Sequence, residues 1–573
     1  MVKKILFLSI LMSCYSFSQD YTVIFYSVDG KVESDPRLTK KKFKSKEHVA
    51  KAVQKLQQKH IRKGHVLAAV DSIYWVEQTA QVFYYLGPTF KAITIKPDGD
   101  YSYLLRKIPQ LNEKQLKKTP FNPREVDKLL RLLNEHLQNN GFPFGKVWLT
   151  INELTPDQPE AVLHIEKGPE ITVKDVYLKG EAEVSEQYLT NFISIKEGDY
   201  YDESRMNKIT QRIDQIQFID EIKPHEILFT PEGAELYLYI KSNPVSLVNG
   251  IVGLQPDPLT GENIITGDVR LRLQNVLNKG EQFNLNWRSL QPQTQDLKIN
   301  GNYPFLFNSP FGFDTRFDLY RRDSTFLTTQ LEVGAQYFMR GGNYLKVFFE
   351  AENSNLLSGA SGGTTLPGSS NLPSSNFSSV SSNRYGVGIY RRQVDYLPNP
   401  SKGFHIALDA MAGRRQSRRI DADSSIVNTT YSLRLDLEWF IPLARRHVIR
   451  LSNRTRLYHA PEVFVNELYR FGGLTTQRGF DEEELFASSL TTLSVEYRFL
   501  VDQNSHAFLF YDQSWYENIS DGYYNDLPFG FGAGFSFGTN IGIFSISYAN
   551  GKQFDNPILL SNGKVHFGYV SYF

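Results

Sequence analysis

Ser361 sits in Gly359-Ala360-Ser361-Gly362-Gly363, the G-x-S-x-G spacing that can present a nucleophilic hydroxyl on a strained turn. That chemistry needs a strand before the turn and a helix after it. The surrounding stretch, 358–382, is instead dense in Ser, Gly, Pro and Asn, and reads as a surface loop. No His-Glu-x-x-His pair, Walker lysine loop or metal-ligand spacing occurs. A single cysteine excludes a disulfide framework and a multi-cysteine metal centre. The expectation is a protein that is not an enzyme and uses neither cofactor nor metal.

A different chemistry is available at Arg478, which follows Phe471-Gly472-Gly473 in the run Gln477-Arg478-Gly479-Phe480. Its guanidinium can donate charge-assisted, forked hydrogen bonds to a carboxylate. Candidate acceptors lie downstream in alternating runs: Asp512 shares a side with Phe508 and Phe510, and Glu496 and Glu438 occupy the matching side of their own runs. The expectation is that Arg478 pairs with Asp512 or Glu496 and pins a long loop to a wall. An exposed Arg-Gly turn is the competing reading.

The elements that would carry this pin occupy 245–573. There the residues alternate: Tyr431, Leu433, Leu435, Leu437 and Trp439 fall on one face, with Ser432, Arg434, Asp436 and Glu438 on the other. Towards the end, at 530–538 and 564–573, large apolar residues alternate with Gly, Ser or His. Lipid outside and a wet lumen inside fit this pattern. Residues 246–573 hold roughly 16 strands at about 20 residues per strand and connection. The long connections, such as 354–382, 413–429 and 459–488, all follow odd-numbered runs, and the short turns lie on the other side. Runs of 18–20 apolar residues are lacking. The near-balance of 63 Lys+Arg against 62 Asp+Glu argues against a nucleic-acid partner.

The first half begins with an address. Lys3 and Lys4, an apolar run from Ile5 and Ser16-Phe17-Ser18 read as a secretory leader over 1–18, although Cys14 after Leu11-Met12-Ser13 loosely fits a lipoprotein box. Three similar α+β units follow, at 19–88, 89–168 and 169–244. One helix runs from Ser45 to Gly64; another starts with Asn122 as cap, Pro123 at N1 and a Val126, Leu129, Leu130, Leu133, Leu137 stripe. Gly-Pro or Pro punctuation at Pro88, Pro169 and Pro244 gives a period near 75–80. A small sheet with a free edge can accept a client strand.

Together these features resemble the BamA/TamA superfamily of outer-membrane assembly factors. The resemblance covers essentially the whole mature chain, and the repeat count is closer to TamA than to the five-repeat BamA. It implies three POTRA domains before a sixteen-stranded antiparallel outer-membrane β-barrel. Gly472, Gly473, Arg478, Gly479 and Phe480 look like the family's inward-folded sixth-loop motif, with Gln477 where a small or aliphatic residue is commoner. Phe510-Tyr511-Asp512-Gln513-Ser514 resembles its barrel-wall motif, with Ser514 in place of glycine. Phe567, Tyr569 and Phe573 resemble its terminal strand signal, and Gly-Asp-Tyr-Tyr at 198–201 its last POTRA unit. The implied role is to receive unfolded outer-membrane or secreted clients in the periplasm, with accessory proteins as further partners. The barrel would then insert or export them at a seam between weak end strands carrying Gly250, Gly253 and Gly568. A two-partner-type secretion pore of the same superfamily is the alternative, and a passive porin or receptor a weaker one.

Overall fold

The computed structural model describes residues 20–30, 41–99, 108, 116–153, 155, 159–243, 245–256, 263–289, 294–322, 325–357, 376–397, 399–418, 425–539 and 542–570. The expected leader, Cys14, the Gly359–Gly363 stretch, Pro244 and Phe573 lie outside them. The chain forms two compact units, 1–172 with 200–204, and 173–199 with 205–573.

The first unit holds two modules of one topology. In the first, β1 (Thr22–Ser27) is followed by α1 (Lys46–Arg62), β2 (Ala69–Val76) and β3 (Thr79–Tyr85). Strand β3 is central, parallel to β1 and antiparallel to β2. Ser45 caps α1 by accepting from the His48 N–H, and Val49, Val53 and Leu56 pack on Ala80, Val82 and Tyr84. The second module repeats the plan with β4 (Ala92–Pro97), α2 (Pro123–Gln138), β5 (Lys146–Glu153) and β6 (Glu160–Glu166). Asn122 accepts from the Glu125 N–H, and Leu129, Leu133 and Leu137 of α2 meet Ile93, Ile95 and Leu163. The leading strands β1 and β4 were not legible in the sequence: each is six residues long and finds its parallel partner only after the intervening helix.

The second unit opens with a third module: β7 (Val173–Lys179), α3 (Glu186–Ile193), β8 (Ile219–Thr230) and β9 (Gly233–Ser242), with β9 central. Between α3 and β8 lie two short helical pieces, Glu203–Met206 and Ile209–Ile213, both buried along one side. Strands then run without interruption: β10 (Leu247–Pro256), β11 (Asn263–Gln274), β12 (Gln282–Ser289), β13 (Gln295–Tyr303), β14 (Phe311–Arg322), β15 (Phe326–Phe338), β16 (Tyr344–Leu356), β17 (Ser379–Val394), β18 (Gly403–Arg418), β19 (Ser425–Ala444), β20 (His447–His459), β21 (Ser489–Leu500), β22 (His506–Asn518), β23 (Phe529–Thr539), β24 (Gly542–Lys552) and β25 (Lys564–Val570). A short piece, Tyr524–Asp526, extends β23 along β22. These sixteen strands pair antiparallel in sequence order and curl into a β-barrel.

The barrel inverts the distribution of a water-soluble protein. On β21, Leu493 and Val495 are 54% and 47% exposed, whereas Glu496 between strands of the wall is 3% exposed. On β17, Tyr385 is 70% exposed and its neighbour Arg384 is 5% exposed. A soluble fold would put these apolar side chains in its core; a lipid-facing cylinder exposes them. Among the described residues no helix is long and apolar enough to cross a membrane.

Polarity along the barrel is fixed by the third module. The Ser185 N–H donates to Asn278 O at 2.7 Å, Asn191 Nδ2 donates to Asn308 Oδ1 at 2.7 Å, and the Tyr188 ring meets Phe305 at 5.7 Å. Asn278 and Asn308 lie in two of the short turns, so α3 sits on the turn end of the barrel. The long connections occupy the far end. Several strands run beyond the expected limits there, β18 to Arg418 and β19 from Ser425, because pairing continues past the apolar band through Gly413-Arg414-Arg415-Gln416-Ser417-Arg418.

Candidate functional site: a loop pinned inside the barrel

The connection between β20 and β21 folds back into the lumen. It carries a short ribbon, Tyr469–Phe471 against Leu485–Ala487, with Arg478 between its arms. Thr476 Oγ1 both donates to Gly472 O and accepts from the Gly472 N–H, which staples the turn that aims Arg478 at the wall.

Arg478 is almost fully enclosed. Its Nε and Nη2 donate to the two carboxylate oxygens of Asp512 at 2.7 and 2.6 Å, in the planar fork that guanidinium and carboxylate allow. Its Nη1 donates to Glu496 Oε2 at 2.8 Å, and Nη2 also donates to Ser494 Oγ at 2.9 Å. The Ser494 hydroxyl in turn donates to Asp512 Oδ1 at 2.5 Å. The Phe510 ring closes one side, with the guanidinium carbon 3.5 Å from its centroid. Asp512 and Glu496 both take part, so the two sequence candidates form one cluster. Glu438 belongs to a neighbouring cluster, paired with Arg450 and facing His405.

The loop backbone lies directly on a smooth patch of wall. Gly479 has φ +94°, and a Cβ there would come within 2.8 Å of the Asn550–Gly551 peptide. Opposite it, Gly530 pairs with Asp512 on one side and with Gly551 on the other, and a Cβ on Gly530 would strike the Arg478 carbonyl. Gly472 and Gly473 also take positive φ, at 127° and 88°. Phe480 packs with Phe471, Leu485 and Tyr516 in a small apolar cluster. Sequence reasoning passed over Gly530 and Gly551; the signal for Gly530 was the alternation of outward Phe with inward Gly along β23, and Gly551 on β24 lies in no such run.

The two departures from the family motifs meet. Gln477 is fully buried, and the Ser514 hydroxyl donates to its Oε1 while its Nε2 donates to the Asp512 carbonyl at 3.3 Å. A glycine at 514 and an aliphatic residue at 477 would lack both bonds, so the pair is an added fastening of the same loop.

The last strand, β25, also touches this loop. The Gly479 N–H donates to His566 Nε2 at 3.2 Å, Lys564 Nζ pairs with Asp481 at 2.8 Å, and a Cβ on Gly568 would meet Leu474 at 2.6 Å. Gly568 is therefore a close-approach position as well as a weak strand former. Gly250 and Gly253 pair with Val269 and Thr266, and Gly568 with Ser545. Among the described residues no backbone ladder joins β10 to β25. Phe567 points outward at 66% exposure, and Tyr569 lies in β25.

Residues 171–243 match the family described as POTRA, surface antigen variable number repeat. The third module is a POTRA repeat. Curated proteins give no match to the sequence. Solved structures similar to the chain include CdiB from Acinetobacter baumannii, at 14% identity over 91% of this chain and 96% of that one, with a TM-score of 0.49. CdiB from Escherichia coli gives 14% identity, 90% and 97% coverage and a TM-score of 0.49. BamA from Haemophilus ducreyi lacking POTRA domains 1–3 gives 14% identity, 83% and 98% coverage and a TM-score of 0.42. The POTRA repeat is the one whose helix α3 seats on the barrel turns.

Proposed function

We propose that this chain is an outer-membrane protein-assembly factor without chemistry of its own. Its POTRA repeat and the two preceding modules receive unfolded clients in the periplasm. The barrel delivers them into the outer membrane at the boundary of β10 and β25, which no backbone ladder joins among the described residues. The observation that carries this reading is the buried Arg478–Asp512–Glu496 pin: it spends a loop on filling the lumen, which a passive pore would leave open. The edges of β10 and β25, without a ladder partner among the described residues, provide donors and acceptors that an incoming strand can satisfy.

In this reading the pin braces the wall next to the boundary while the end strands separate. Arg478 holds β21 and β22 through Glu496 and Asp512, and its neighbours Gly479 and Asp481 hold β25. The deciding experiment is depletion of the protein followed by an inventory of the outer membrane. Loss of several unrelated barrel proteins supports assembly; loss of one secreted partner with an intact barrel inventory supports a dedicated secretion pore. An unchanged inventory and secretome would reject both.

A further inference from the structure

The loop that carries Arg478 has a second ionic fastening, eleven residues upstream and on another part of the wall. Glu467 receives both Nε and Nη2 of Arg415, at 2.7 and 2.5 Å, with Arg415 wholly buried on β18. The same carboxylate accepts from Tyr458 OH at 2.7 Å and from the Phe464 N–H at 2.9 Å. Beside it, Asn466 Nδ2 donates to Ser354 Oγ at 2.7 Å and to Ser378 O at 2.9 Å. Ser354, Ser378 and Arg415 all lie at the far end of the barrel, remote from the turns that meet the POTRA repeat.

What these bonds seat is an apolar body. Ala460, Val463, Val465 and Leu468 are buried against Tyr458, and Phe377 and Ile519 pack on them. Phe377 precedes β17 and Ile519 follows β22, so the cluster reaches across several strands inside the mouth. The Phe464 ring lies under the Arg415 guanidinium, 5.3 Å from its centroid. Arg415 Nη1 has no hydrogen-bond partner among the described residues. Glu467 is therefore the group that balances this buried cation, and withdrawing it would strand a charge in a dry place.

We propose that Arg415 and Glu467 are positioning residues for a stopper, the 460–468 segment, that closes the far end of the lumen independently of the Arg478 pin. This deepens the assembly reading and rests on it for its consequence: clients leave sideways at the β10–β25 boundary, and the axial route stays shut during assembly. The two fastenings then have separate tasks. Arg478 governs the boundary, and Arg415 governs the mouth.

The test uses the full-length protein carrying Val463→Cys, a position only 1% exposed, in a chain whose other cysteine is Cys14 of the expected leader. Intact cells are treated with a membrane-impermeant maleimide, and the purified protein is examined for single-channel conductance. With Arg415 present, Val463→Cys stays unlabelled and conductance is low. Adding Arg415→Met gives labelling and a several-fold rise in conductance. Arg415→Lys keeps the charge without the fork and falls between. Heat-modifiable migration shows in each case that the barrel is folded. If Arg415→Met leaves labelling and conductance unchanged, the stopper assignment is overturned. Should the opened variant lose client assembly as completely as Arg478→Ala, Arg415 belongs to the same brace and the separate role fails. An unchanged inventory on depletion would sink the assembly reading while leaving the labelling result standing.

Discussion

Arg478 shows how a single side chain is made indispensable by its surroundings. A buried guanidinium with two carboxylate partners is costly to break from one side, since each remaining charge stays enclosed; removal of one partner of such a cluster costs about 3–5 kcal/mol. Arg478→Ala should therefore lower the temperature of the heat-modifiable transition and abolish complementation, and Arg478→Lys should recover part of both. If both variants behave as the parent, the brace is wrong. Gln477 and Ser514 make a sharper case. Ser514→Gly leaves the buried Gln477 Oε1 without its donor, at about 1–3 kcal/mol, whereas after Gln477→Val the Ser514 hydroxyl keeps its bond with Thr492 and the cost is smaller. The double variant removes both groups and should be closer to the parent than the sum of the singles. A double-mutant cycle on the same thermal transition reads that coupling. The residue types at 478, 496 and 512 announced an ionic pin, because alternation alone places Glu496 and Asp512 on one face. The bond between 477 and 514 was not legible, since nothing local says that a loop residue will lie against that strand position.

At the scale of elements, α3 and the barrel turns make a joint that can be broken selectively. Tyr188 is buried between Phe305 and Phe218, and Gly280 of the turn after β11 has φ +71° with no room for a side chain beneath the Tyr188 ring. Tyr188→Ala removes an aromatic anchor whose loss typically costs about 3–5 kcal/mol. Limited proteolysis should then cut faster between the POTRA repeat and β10, while the barrel keeps its heat-modifiable shift. The boundary of β10 and β25 offers a second element-scale test. A disulfide engineered across it should stop assembly in oxidising conditions and restore it on reduction; retained activity in the locked form would remove the lateral route. The helices were easy to foresee because caps and a 3.6-residue stripe are local signals. The far ends of β18 and β19 were not, because their residues are polar and are held in strand by pairing with each other rather than by lipid.

The barrel of the second unit is an inside-out cylinder with its charges knitted across the lumen. Arg434 joins Glu332 of β15 at 2.6 Å and Glu350 of β16 at 3.2 Å, and Lys346 joins Glu332 and Asp314 at 2.5 and 2.6 Å. With the 460–488 connection folded into that lumen, the reconstituted protein should conduct poorly, and deletion of the connection should raise conductance to that of a wide pore. A high conductance in the intact protein would contradict a filled lumen. The sequence by itself determined which side chains meet lipid and which meet the lumen, where the helices start and stop, and that a guanidinium would seek an inward carboxylate. Each of these follows from periodicity or side-chain chemistry within a few residues. Only the tertiary structure decided which carboxylate each cation finds, that Gly530 and Gly551 clear a bed for the loop, and that Glu467 crosses to Arg415. Those choices depend on strand register and on the path of a long loop, and neither is written in any local stretch of chain.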